Sequence, residues 1–75
     1  MIKLSPEGEY HITGRGLVFV FKEVPSIKGI KALSIWMGLE VEVKGIRYII
    51  TGIEHHPVAE NKPYKGPVGF LVKPL

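Results

Sequence analysis

The segment from residue 39 to residue 53 limits the fold more than any other part of the chain. Residues 39–43 alternate strictly between apolar side chains and glutamates, as an antiparallel strand with one buried and one exposed face does. Lys44 and Gly45 follow, and residues 46–53 then form a second apolar, β-branched run. A two-residue connection with glycine between two such segments predicts a tight β-hairpin.

Three more segments have the composition of strands, namely residues 10–13, 17–24 and 68–73. The unbroken apolar start of segment 17–24 indicates a strand that is covered on both faces or rolled into a barrel. Five short strands joined by Gly and Pro turns predict an all-β fold. We expect a small closed or nearly closed antiparallel β-barrel, because closure removes the exposed edges of a small sheet.

Residues 26–37 have two interpretations. Apolar residues recur at helical spacing between 30 and 37, and Gly38 could end a short helix. The alternative is an irregular loop followed by a short strand at residues 34–37. Because Gly29 weakens a longer helix, we favour a loop with at most one helical turn.

The length of 75 residues predicts a single domain, residues 1–75, with little volume for a deep ligand cavity. We therefore expect no small-molecule substrate. The chain has no cysteine, which excludes disulfides, thiolate metal sites and cysteine nucleophiles. No apolar run has the length of a membrane span, and the N-terminus lacks the apolar region of a signal peptide. These features predict a cytoplasmic protein without membrane contact.

Four segments resemble a known family when they are taken in order. Residues 12–18 (ITGRGLV) are similar to the I-x-G-R-G-x-V opening of the β-barrel second domain of translational GTPases, the elongation factor Tu family. Residues 37–43 (MGLEVEV), 51–54 (TGIE) and 66–72 (GPVGFLV) resemble its V-G-D/E-x-V-E-I hairpin, its T-G-V/I-E strand and its closing G-x-x-V-G-L-L-L segment.

The resemblance implies a translation-factor-like barrel, which in that family packs against the GTPase domain and contacts tRNA or ribosomal RNA. This chain departs from the pattern in several places. It has no P-loop and no room for a GTPase domain, Leu39 stands where an acidic residue is usual, and residues 26–33 resemble an insertion. The resemblance therefore implies a fold more directly than a role.

Two basic segments are candidates for binding anions or nucleic acid. Gly14, Arg15 and Gly16 could bind a phosphate, because glycines let the backbone approach an anion and arginine supplies several donors. The alternative is a tight turn with Arg15 in solvent. Tyr64 lies between Lys62 and Lys65 in a proline-rich loop over residues 55–67, a stretch long enough to be functional or mobile. This tip could contact RNA or protein, or it could be a solvated loop.

The remaining candidates for chemistry have simple structural explanations. His55 and His56, together with His11, could be metal ligands. Adjacent histidines in a strand point to opposite faces and rarely bind one ion together, although in a loop they could. Glu40 and Glu42 share one strand face, and the residues opposite them in the hairpin are expected to be Arg47 and Ile49 or their neighbours, which predicts a cross-strand ion pair. No Ser-His-acid arrangement stands out. We expect no metal, no cofactor and no enzymatic activity. Most of the aromatic residues are expected in the core of so small a barrel. These residues are Phe19, Phe21, Trp36, Tyr48 and Phe70.

These observations lead to two hypotheses. The first is a non-enzymatic binding module that contacts RNA or a ribonucleoprotein through the glycine turn and the basic tip, which the net charge of +3 would favour. The second is a protein-interaction or assembly component, with self-association possible and no nucleic-acid role. Its interface would be an apolar cluster that so small a barrel cannot fully bury, with these candidates: Ile30, Leu33, Trp36 and Met37.

Overall fold

The computed structural model describes residues 2–30, 32–56 and 64–75. Its strands are β1 (Ile2–Lys3), β2 (Gly8–Ile12), β3 (Gly16–Phe21), β4 (Glu40–Val43), β5 (Ile46–His55) and β6 (Val68–Pro74). One 3-10 turn, Leu33–Trp36, precedes β4. Within these ranges no helix is long and apolar enough to cross a membrane. The prediction of an all-β chain with at most one helical turn is confirmed.

The six strands form one sheet in the order β1-β4-β5-β6-β3-β2. Every neighbouring pair is antiparallel except β1 and β4, which are parallel. Strand β1 was not predicted, because two residues are too few to show a period-two pattern. Strand β3 ends at Phe21, earlier than predicted from composition.

The hairpin between β4 and β5 has the predicted geometry. Val43 pairs with Ile46, and the two residues between them have φ values of 52° at Lys44 and 82° at Gly45. Two consecutive positive φ values define a type I′ turn, whose twist matches that of the flanking strands. Glu42 lies opposite Arg47 and Glu40 lies opposite Ile49. The Glu42 carboxylate also lies 3.9 Å from Lys3 Nζ on β1.

The core lies on one face of the sheet, where alternate residues of the four central strands converge. Phe19 pairs with Phe70 across β3 and β6, and Trp36 from the 3-10 turn packs on Phe70 with ring centroids 5.1 Å apart. Phe19 and Tyr48 make an edge-to-face contact at 5.0 Å. The buried members of this cluster are Leu4, Phe19, Phe21, Trp36, Val41, Val43, Tyr48, Ile50, Val68, Phe70 and Val72.

The sheet is curled, although it does not close. Strands β1 and β2 are its two edges, yet only residues 4–7 connect them. Such a connection reaches about 18 Å at most, whereas a flat sheet of this order would separate its edges by about 24 Å. Lys44 Nζ also lies 3.6 Å from Glu9 Oε1, between the hairpin tip and β2. No ladder joins β1 to β2 in the described ranges, so a closed barrel is not confirmed.

Candidate functional site

The face of the sheet opposite the core is unusually smooth. Residues paired across β2, β3, β6 and β5 form two rows on this face. The first row is Gly8, Val20, Gly69 and Glu54, and the second is Tyr10, Val18, Leu71 and Gly52. Three of these eight positions are glycine, so no side chain projects from the sheet at those positions. Val18 is buried but does not belong to the core cluster, which shows that this outer face has an apolar floor of its own.

Tyr10 is the aromatic residue that this outer face displays. The chain has seven aromatic residues, all in the described ranges, and Tyr10 is the one with a large exposed fraction, 59%. Its ring lies along β2 over Gly8, where an added Cβ would come within 3.2 Å of the ring. Glycine at position 8 therefore allows the ring to lie low over the strand. Sequence reasoning missed this site, although the Gly-x-Tyr spacing on one strand face was visible.

The turn between β2 and β3 contains Gly14, Arg15 and Gly16. The Arg15 amide donates to the Ile12 carbonyl, and Gly14 has a φ of 82°, as the third residue of a type II turn requires. Gly16 follows with a φ of 96°. The turn is therefore held by its own backbone, and the Arg15 amide is already used within it.

The Arg15 side chain does not extend freely into solvent, because it has a partner on the sheet. Its guanidinium is paired with the carboxylate of Glu54 on β5. Strand β6 lies between β3 and β5, so the side chain reaches across the outer face. Glu54 had no predicted partner, because their separation of 39 residues is bridged only by the folded sheet.

The exposure of the Arg15–Glu54 pair decides how strongly it is held. The two side chains are 59% and 48% exposed, so solvent screens their attraction and a pair of this kind contributes about 0–1 kcal/mol. An incoming anion can therefore compete with Glu54 for the guanidinium at small cost. The pair of Lys22 with Glu7 is similarly exposed.

Tyr64 is not a freely exposed loop tip. It is half-buried against the core cluster, its hydroxyl donates to the Pro67 carbonyl, and it accepts the His56 amide at 3.2 Å. Its ring also packs on the His55 ring at 5.1 Å. The predicted surface role of Tyr64 is therefore corrected: this tyrosine packs against the core cluster, and its hydroxyl joins the backbone of His56 to that of Pro67.

The structure does not bring the two predicted basic segments to one face. His55 and Glu54 are consecutive in β5 and point to opposite faces. Tyr64 packs on His55, whereas Arg15 is paired with Glu54. Lys65 is exposed, and Lys62 lies outside the described residues.

The four residues of the predicted apolar interface differ in how far they are buried. Trp36 is 1% exposed and belongs to the core, so its assignment to a surface patch is wrong. Ile30 and Leu33 are partly buried against the same cluster. Met37 remains exposed at 53%, beside Ile35, which is also exposed.

A shallow depression of about 300 Å³ lies at the end of the sheet where β5 finishes and β6 begins. It is lined by Val20, Glu54, His55, His56, Pro67, Val68 and Gly69. His55 Nδ1 lies 2.6 Å from the His56 carbonyl oxygen, which engages one nitrogen of that ring. Among the described residues no three His, Cys, Asp or Glu side chains gather as metal ligands would.

The residues with binding potential are therefore Tyr10 and Arg15 on the outer face and the Met37 surface beside the 3-10 turn. Comparison with protein-family models, with curated proteins and with solved structures found no match for this chain.

Proposed function

We propose that this chain is a cytoplasmic, non-enzymatic binding module that contacts RNA with the outer face of its sheet. The observation that carries the proposal is Tyr10, whose exposed ring lies over Gly8 on the same outer face where Arg15 pairs with Glu54. Single-stranded nucleic acid is bound by this combination of an aromatic ring on a sheet and a nearby cation.

The architecture we propose is a nearly closed, translation-factor-like barrel. The short connection between β1 and β2 and the Lys44–Glu9 contact support it. So does the order of the four motif resemblances along the sequence. A curved outer face of this kind presents its side chains on a convex surface, where an extended strand of RNA can lie across them.

Each of the two residues has a separate role in the proposed contact. A base stacks on the Tyr10 ring, which contributes about 1–3 kcal/mol for a base in comparable sites. Arg15 contacts a backbone phosphate, for which its guanidinium must leave Glu54. Glu54 therefore weakens RNA binding, because it competes for the same cation.

The first test is a fluorescence titration of a labelled single-stranded RNA with the purified chain at two salt concentrations. We expect affinity that falls as salt rises, since phosphate contacts release counterions. Tyr10→Leu should weaken binding by about 10-fold, and the matched control Tyr10→Phe, which keeps the ring, should bind as the native chain does. Absence of binding at low salt, or equal affinity of the Leu and Phe variants, contradicts the proposal.

The second test uses the ion pair. Arg15→Gln should weaken RNA binding, whereas Glu54→Gln should strengthen it by a few-fold, about what an exposed pair is worth. Both variants break the same ion pair, so a purely structural effect would change RNA affinity in the same direction in both. Weaker binding in the Arg15 variant and stronger binding in the Glu54 variant therefore indicate a phosphate contact. Weakening in both variants would mean that the pair supports only the fold.

A second candidate function is docking of another protein, and the exposed Ile35 and Met37 favour it. The 3-10 turn holds Trp36 in the core between them, which fixes both side chains outward. Replacing Met37 and Ile35 with serine should leave the thermal midpoint nearly unchanged and leave RNA affinity intact. A loss of RNA affinity in this double variant would place the RNA site on the 3-10 turn instead of the outer face.

A further inference from the structure

Strand β2 ends the sheet on one side and has a free edge. It pairs with β3, and no described strand lies beyond it. The Ile12 carbonyl points toward β3, because it accepts the Arg15 amide. Backbone groups alternate in direction along a strand, so the amides and carbonyls of Glu9 and His11 point away from β3. These unpaired groups form a template for another strand.

We propose that two copies of this chain associate through β2, antiparallel, about a twofold axis that passes beside Tyr10. In this register Glu9 lies opposite the second copy's His11, and symmetry repeats the pair. Both residues carry the outward-pointing backbone groups, so each pair exchanges two main-chain hydrogen bonds, as a hydrogen-bonded antiparallel pair does. Tyr10 lies opposite its own copy in a non-hydrogen-bonded pair, where side chains are close.

The side chains on the inner side of this edge complement one another. A Glu9 carboxylate faces an imidazole that can donate a hydrogen bond or carry a positive charge. A parallel, in-register pair would instead place Glu9 opposite Glu9, which is destabilising. Glu9 also lies 3.6 Å from Lys44 Nζ, but both side chains are well exposed, so this contact leaves the carboxylate available.

The outer side of the edge explains two exposed apolar residues. In the proposed register Gly8 lies opposite the second copy's Ile12. The Tyr10 ring lies over Gly8, so it contacts that isoleucine. Tyr10 and Ile12 are both exposed in the single chain, and pairing covers part of both side chains. The dimer and a base stacked on Tyr10 therefore compete for the same ring.

A strand of this length makes a small interface, and a small interface is weak. The first measurement is sedimentation equilibrium of the purified full chain without RNA, from about 10 µM to about 1 mM, the range that a weak contact of this size requires. We expect a monomer–dimer equilibrium within it. A monomer at every concentration overturns the proposal.

His11→Pro removes the outward-pointing amide and leaves the bonds between β2 and β3 intact. We expect the dimer dissociation constant to rise by at least about 10-fold, with an unchanged circular dichroism spectrum. Association that is equally strong in this variant places the contact elsewhere on the chain and overturns the proposal.

A charge exchange keeps the proposal testable if the proline variant fails to fold. Glu9→Lys should weaken the dimer by about 10-fold, because each pair loses the carboxylate that accepts a hydrogen bond from the His11 imidazole. The double variant Glu9→Lys, His11→Glu should restore affinity to within about threefold of the native chain. Failure of the second change to rescue the first overturns the proposed register. These measurements contain no RNA, so their outcome is separate from that of the proposed function.

Discussion

Trp36 is the residue on which the packing of this domain depends most. It lies almost fully buried and stacks on Phe70 at the centre of the sheet. A domain of this size has one core and little redundancy. This side chain was both one of the aromatic residues predicted for the core and a candidate for the interface, and it fills the space beneath the curled sheet.

Trp36→Ala should destabilise the domain by about 3–5 kcal/mol, since a large cavity replaces an indole. This is comparable with the whole stability of a small domain, so we expect loss of cooperative unfolding in urea followed by far-ultraviolet circular dichroism. Met37→Ala is the neighbouring control and should change the free energy of unfolding by less than about 0.5 kcal/mol, because that side chain is exposed. Similar losses at both positions would contradict the assignment of Trp36 to the core.

The β4–β5 hairpin is the element whose geometry depends most on local conformation. Both turn residues have positive φ, although only one of them is glycine. An added Cβ at Gly45 meets no atom within 4 Å, so any cost of a side chain there comes from backbone conformation.

Gly45→Ala should therefore destabilise the domain by about 1–2 kcal/mol, the cost of a left-handed conformation for an ordinary residue. Lys44→Gly tests the same backbone effect in the other direction, because it removes the conformational strain of a non-glycine residue with positive φ. It should leave stability within about 0.5 kcal/mol of the native value or raise it, measured by the midpoint of thermal unfolding. A large loss in the Lys44 variant would show that its side chain, and not the turn, supports the hairpin.

At the scale of the whole molecule, the strand order predicts a gradient in how well backbone amides are protected from hydrogen exchange. Strands β5 and β6 lie inside the sheet and carry Ile50, Phe70 and Val72 in the core. Strands β1 and β2 form its edges. Edge strands open locally without global unfolding, whereas central strands open only with the whole domain.

Amide hydrogen exchange followed by nuclear magnetic resonance should show this gradient in dilute protein. The amides of Ile50 and Phe70 should exchange slowest, through global unfolding. Those of Glu9 and His11 should exchange fast, because they point away from β3, and should become slower as concentration rises if β2 pairs with a second copy. Slow exchange of these two amides in dilute protein would contradict a free β2 edge.

The sequence by itself determined the strands whose signals are local. Alternation over residues 39–43 and the Lys-Gly pair specified the β4–β5 hairpin, because period-two patterning and turn chemistry act between near neighbours. The same reasoning limited the helical content to one turn. Strand β1 was too short to give a pattern, and its parallel partner lies far along the chain.

Only the tertiary structure decided which residues are available for binding. Trp36 and Tyr64 were candidates for surface contacts. Packing of Trp36 on Phe70 and the hydrogen bond from the Tyr64 hydroxyl to the Pro67 carbonyl removed both from that role. Tyr10 is exposed because it lies on the outer face of an edge strand, and its Gly-x-Tyr spacing does not show on its own which strand is an edge. Arg15 found Glu54 across β6. Exposure and long-range pairing depend on how the sheet curls. The packing of the whole core determines this curl, so no single segment of the sequence can specify it.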